Sequence, residues 1–106
     1  MELIELQKME PRQMLTGVKV RFVHSANMTV AYWDLDAGSS IPEHSHPHEQ
    51  IMTVLEGQVR FSAGGETQEL GEGSVVVIQP DLPHGGEAIV NCRLLDVFHP
   101  VREDYR

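Results

Sequence analysis

Short runs in which apolar and polar residues alternate follow one another along this chain, and glycine or proline cuts each one off before it grows long. This pattern constrains the fold more than any other feature. A period of two puts apolar side chains on one face of an extended strand, whereas an amphipathic helix needs a period of about 3.6. Val18-Lys19-Val20-Arg21-Phe22-Val23-His24 alternates in this way and predicts a strand with Lys19 and Arg21 turned to solvent. Residues 28–35 predict a second strand carrying Val30, Tyr32 and Trp33. Others are expected over 50–55, 58–62, 66–70, 75–78 and 91–98. Gly64-Gly65 predicts a two-residue hairpin, because such a reversal needs positive φ angles that glycine adopts at little cost. No long amphipathic helical pattern appears, so the expectation is an all-β sandwich or barrel.

At 106 residues the chain has the size of a single domain spanning 1–106. Residues 1–16 read as a short strand or arm with a bend at Pro11, and residues 99–106 as a tail. The formal net charge of -8 argues against a nucleic-acid surface and against anionic lipid. One cysteine, Cys92, excludes an internal disulfide and sits in an apolar run that predicts burial. The N-terminus lacks the order of a secretory signal, and no apolar run is long enough to span a membrane, so the expected location is the cytoplasm.

Chemistry concentrates between Gly38 and Gly57. Three histidines at 44, 46 and 48 precede Gln50, which opens an alternating run. On an extended chain all four share a parity, although Pro47 interrupts the ladder and leaves His48 open. Neutral imidazole is the commonest metal ligand, and His44 and His46, two apart on a strand, suit one divalent ion. A further histidine, His84, follows the rigid Gln79-Pro80-Asp81-Leu82-Pro83 loop. His24 and His99 lie in or at the end of strands without such support and read as ordinary structural or surface residues. Within residues 50–55, Ile51 and Leu55 face away from Gln50, Met52 and Val54. The outer face is therefore expected to pack on a second sheet or another subunit.

With this spacing laid out, the chain resembles the cupins. Gly38, His44, His46, Gln50 and Gly57 match their first motif, with glutamine where glutamate is usual. Gly73 and His84 match a degraded second motif. The resemblance implies a double-stranded β-helix (jelly-roll, RmlC-like) barrel in which His44, His46, Gln50 and His84 hold one divalent metal ion. Zinc, nickel, manganese and iron all remain open. Replacing a carboxylate by a neutral amide leaves the ion's charge uncompensated, making it a stronger Lewis acid.

His44-Ser45-His46-Pro47-His48-Glu49-Gln50, Leu82-Pro83-His84-Gly85 and the ending Leu95-Asp96-Val97-Phe98-His99-Pro100-Val101-Arg102-Glu103-Asp104-Tyr105 are similar to the small cupins of pectin and alginate breakdown, the KdgF type. That resemblance implies a metal-dependent enzyme opening the ring of 4,5-unsaturated uronates, an anionic sugar-acid substrate and a homodimer. It also carries functional roles onto Asp96, Phe98 and Arg102. Asp96 shares parity with Cys92, Leu94 and Phe98, so an inward face would bury its carboxyl and raise its pKa; the alternative is an outward Asp96 paired with Arg93. Phe98 would wall the sugar or simply fill the core. Arg102 would fork onto the substrate carboxylate or make a surface pair with Glu103 or Asp104. Arg60 and Tyr32 are also in reach of a pocket. Two other readings are a metal-dependent dioxygenase of the small-cupin type and a non-catalytic sugar- or metal-binding module.

Overall fold

The computed structural model describes residues 1–106. Its ten strands are β1 (Arg12–Leu15), β2 (Val18–His24), β3 (Thr29–Leu35), β4 (Ser40–His44), β5 (Glu49–Glu56), β6 (Val59–Ala63), β7 (Glu66–Leu70), β8 (Val75–Ile78), β9 (His84–Ala88) and β10 (Cys92–His99). They form two antiparallel sheets, one of six strands in the order β1-β2-β3-β10-β5-β8 and one of four in the order β4-β9-β6-β7. No hydrogen-bonded ladder joins the sheets. The expected barrel is therefore realised as a jelly roll of two facing sheets, and a closed hydrogen-bond cylinder is not formed.

The alternation read from the sequence decides which face each strand buries. Along β5, Gln50, Met52 and Val54 are buried while Ile51 and Leu55 are exposed. Along β10, Cys92, Leu94, Asp96 and Phe98 are all buried. Val18, Val20 and Phe22 from β2 meet Val59, Phe61 and Ala88 from the smaller sheet in one core cluster. Each large aliphatic or aromatic side chain removed from water there contributes about 1.5–3 kcal/mol before entropy is counted. The β6–β7 hairpin turns on Gly64 and Gly65, both with positive φ (57° and 85°), as expected.

Of the strand or arm expected over residues 1–16, the part before Pro11 is an arm and the strand follows Pro11. Residues 1–5 have no regular structure, Leu6–Lys8 form a 3-10 turn, and β1 pairs with β2. The loop of residues 79–83 delivers His84 as expected, and His84 then opens β9, an unforeseen strand whose sequence His-Gly-Gly-Glu-Ala carries little β propensity of its own. Packing explains it. A Cβ on Gly85 would stand 2.8 Å from the Ile41 carbonyl oxygen, and one on Gly86 would stand 3.1 Å from that of Arg60. Only glycines let β9 slide between β4 and β6 at this spacing. No helix is long and apolar enough to cross a membrane.

Candidate active site and metal centre

The smaller sheet assembles three imidazoles. His44, the last residue of β4, and His84, the first of β9, are direct cross-strand partners, and their ring centroids lie 4.4 Å apart. His46 follows the end of β4, where the chain bends before Pro47. Its ring is 5.0 Å from His84 and 5.9 Å from His44. One ligand-capable atom from each lies within 4.8 Å of the others. His44 and His46 thus converge through a bend, not through the shared face of one continuous strand.

One device orients all three rings. Nδ1 of His44 donates to the Pro42 carbonyl (2.8 Å), that of His46 to His48 (3.1 Å) and that of His84 to Leu82 (2.8 Å). A carbonyl oxygen can only accept, so the proton resides on Nδ1 and Nε2 keeps its lone pair. Burial favours the same neutral state. Desolvation, helped by the nearby Arg102 charge, pulls the pKa of His46 down to about 4, and desolvation also lowers that of His84.

Nε2 of His84 is buried without a hydrogen-bond partner. Nε2 of His46 faces Oε1 of Gln50 at 2.9 Å, two acceptor atoms that repel unless a cation joins them or the amide turns its nitrogen inward. An orphaned lone pair beside two opposed acceptors is what a divalent ion satisfies, so these residues fit a metal.

The other histidines stand apart. Half-buried His48 is turned to the tail, where burial and Arg102 lower its pKa. His24 Nδ1 lies 2.8 Å from Thr29 Oγ1, and His99 is exposed.

The six-stranded sheet supplies the facing wall. Pairing of β10 with β3 and β5 sets Asp96 opposite Ala31 on one side and Met52 on the other, with Phe98 opposite Gln50. Asp96 is 6% exposed, and Arg93 bonds Asp34 instead, so the inward alternative holds. Desolvation pushes the Asp96 pKa up to about 6, outweighing the opposing influence of Gln50, the Trp33 N–H and Arg102. Its Oδ1 has no partner. Phe98 meets His46 edge-on at 5.6 Å.

Arg102 is 4% exposed despite its charge. It donates from Nε and Nη2 to both carboxylate oxygens of Asp104 (3.1 and 2.9 Å) and is clamped between the rings of Phe98 and Tyr105, 4.7 and 4.0 Å from their centroids. Its backbone N–H donates to Thr29 Oγ1. The Asp104 pair weighed from the sequence therefore exists, but it anchors a buried guanidinium whose Nη1 is left without a protein partner.

His44, Gln50, His84, Asp96, Phe98 and Arg102 line one cavity between the sheets. It offers about 70 Å³ to the centres of water-sized molecules, several times the ~15 Å³ that one water needs. Tyr32 faces the outer side of its sheet, and Arg60 is exposed beside Glu69 and Glu87; neither lines this cavity. Trp33 and Tyr105 line it and were missed in the sequence. Trp33 shares parity with buried Ala31 and Leu35, which signals its direction. Tyr105 gave no signal, since its place depends on how the tail folds back.

The family model for the cupin domain matches residues 31–98, which include most of β3, all of β4 to β9 and nearly all of β10. This chain belongs to the cupin family. Among structures similar to this cupin is an RmlC-like cupin from Shewanella frigidimarina NCIMB 400, with a TM-score of 0.90 and 25% identity over 94% of this chain and 91% of that one. The structure of KdgF from Halomonas sp. has a TM-score of 0.93 at 22% identity, covering 99% of this cupin and 98% of that chain, a likeness of fold. The uncharacterized protein SCO3923 of Streptomyces coelicolor is 31% identical over 85 residues, 79% of this cupin and 81% of the relative.

Proposed function

We propose that this cupin is a metal-dependent enzyme that opens the ring of 4,5-unsaturated uronates, the monosaccharides released by polysaccharide lyases. One observation carries the reading: a buried carboxyl, Asp96, and a buried guanidinium, Arg102, share a cavity with His44 and His84, two of the three grouped imidazoles. A purely apolar ligand would leave Oδ1 of Asp96 buried without a partner and Nη1 of Arg102 unused, and burying a polar group unmatched is costly.

His44, His46, His84 and Gln50 would hold one divalent cation, which supplies Lewis acidity toward a carboxylate or hydroxyl oxygen. Ring opening is an isomerisation that moves the anomeric hydroxyl proton to C4. The hydroxyl loses its proton, the bond from C1 to the ring oxygen breaks, and the C5 enol left behind becomes the ketone when C4 is protonated. Asp96 is the group for both transfers, because a carboxyl with its pKa near neutrality takes and gives a proton at low cost. Arg102 turns Nη1 to the substrate carboxylate, held in place by Asp104 and the two rings. Phe98 provides a flat wall for the sugar.

The substrate is thus a small anionic sugar acid. The expected assembly is a homodimer, in which a second copy covers the exposed Ile51, Leu55, Val75 and Val77 on the outer face of β5 and β8. The test mixes metal-loaded protein with lyase-generated unsaturated uronate and follows the loss of ring ultraviolet absorbance against the spontaneous reaction. Acceleration without oxygen consumption is expected. Acceleration lost under anaerobic conditions would favour a dioxygenase, and none at all would remove the uronate assignment.

A further inference from the structure

Two polar atoms on the cavity wall remain unpaired after the imidazoles have been accounted for: Nε1 of Trp33 and Oδ1 of Asp96, both buried and both without a hydrogen-bond partner. They belong together by register. Leu94 is the direct partner of Trp33 and Ala31 that of Asp96, so Trp33 and Asp96 are diagonal neighbours on one face, within reach of an aromatic ring. The indole N–H is near enough to the carboxyl to hold its pKa down against burial, yet neither Nε1 of Trp33 nor Oδ1 of Asp96 has a hydrogen-bond partner. Phe22 holds the indole edge to face, 5.9 Å between centroids at 84°. Trp33 is 8% exposed, so bulk water does not satisfy its N–H, and leaving such a donor bare costs several-fold in stability or affinity.

An indole N–H can only donate, whereas a carboxyl oxygen beside it accepts or exchanges a proton. The atom matching both is an oxygen with a lone pair and a hydrogen of its own. The geometry points to a hydroxyl-selective subsite between Trp33 Nε1 and Asp96 Oδ1, which takes a hydroxyl of the sugar acid, or a water in its place, and makes Trp33 a specificity-determining residue. This rests on the uronate reading and deepens it: the hydroxyl that exchanges its proton with Asp96 is anchored by Trp33. A site that commits a buried donor to a hydroxyl rejects the analogue lacking it far more strongly than an apolar pocket does.

Trp33 is the only tryptophan in the chain, so one indole N–H resonance reports on this subsite alone. The experiment records that resonance in 15N-labelled, metal-loaded protein while D-galacturonate, and separately the lyase-generated unsaturated uronate, is added. Both are expected to move it, and Trp33→Phe is expected to raise the KM for the unsaturated uronate about ten- to a hundredfold with metal content unchanged. An indole signal left in place by both sugars overturns the subsite, as does a folded Trp33→Phe protein with unchanged KM. A signal moved by the sugars, in protein that does not accelerate ring opening, retains the subsite and overturns the reaction. Because the resonance is read in the unsubstituted protein, the result stands even where Trp33→Phe fails to fold.

Discussion

Asp96 carries opposite consequences for stability and for the proposed chemistry. Its pKa rises from 3.8 to about 6 on folding because burial disfavours the charged form. The folded state therefore binds this proton more tightly, so Asp96 destabilises increasingly as pH climbs through the folded pKa and costs nothing below the unfolded one. Two pKa units correspond to roughly 3 kcal/mol. Asp96→Asn is expected to stabilise the metal-free protein by up to about that amount near neutral pH, and hardly at all in acid, while lowering turnover about a hundredfold or more. Denaturant midpoints at the two pH values check the first part. A variant that is less stable near neutrality contradicts it.

His46 runs the other way: its pKa falls from 6.5 to about 4, so its contribution is present above the unfolded value and lost as pH drops through the folded one. His46→Ala is expected to lose metal and activity together, and equal metal content by elemental analysis contradicts the proposed ligand set. Arg102→Ala is expected to raise KM at least tenfold with bound metal retained; an unchanged KM contradicts the carboxylate role.

At the scale of elements, the site depends on β4 and β9 lying side by side. A methyl on Gly85 meets the Ile41 carbonyl and the Glu43 amide, so Gly85→Ala is expected to cost about 1–3 kcal/mol and to weaken metal binding by separating His84 from His44. Calorimetric metal titration checks this, and unchanged affinity contradicts it. The same two strands show where the sequence stops being legible. β2, β3, β5 and β10 could be read from alternation because each buries one face. β9, with its paired glycines, is a strand only because its neighbours make it one. Parity groups Asp96 with Leu94 and Phe98 but leaves its direction open, which the burial of that face in the structure decides. The burial of Arg102 could not be read, since it follows from Tyr105 and Phe98 closing around it after the tail turns back. Tyr105 stacks on Phe22 at 4.5 Å and thereby fastens the tail to β2.

For the whole molecule, the six-stranded sheet leaves Val75 and Val77 of β8 exposed at 59% and 63%, with Ile51 paired to Val77 across the ladder. Arg93 and Glu49 lie at opposite ends of this outer face, so a two-fold axis running across the strands would bring Arg93 of one copy toward Glu49 of the other. Val77→Lys combined with Ile51→Lys is expected to convert the proposed dimer to monomer by light scattering while the circular dichroism spectrum stays β-rich. A variant that retains the parent mass contradicts this interface.

In the proposed function His44, His46 and His84 act on a sugar acid through one shared ion. The most direct test adds a divalent metal stepwise to chelator-stripped protein and records, at each step, the initial rate at which unsaturated uronate loses its ultraviolet absorbance. The expected rate climbs in proportion to metal and levels off at one ion per chain. A rate that stays at the spontaneous value throughout, or that is already maximal in the stripped protein, would contradict it.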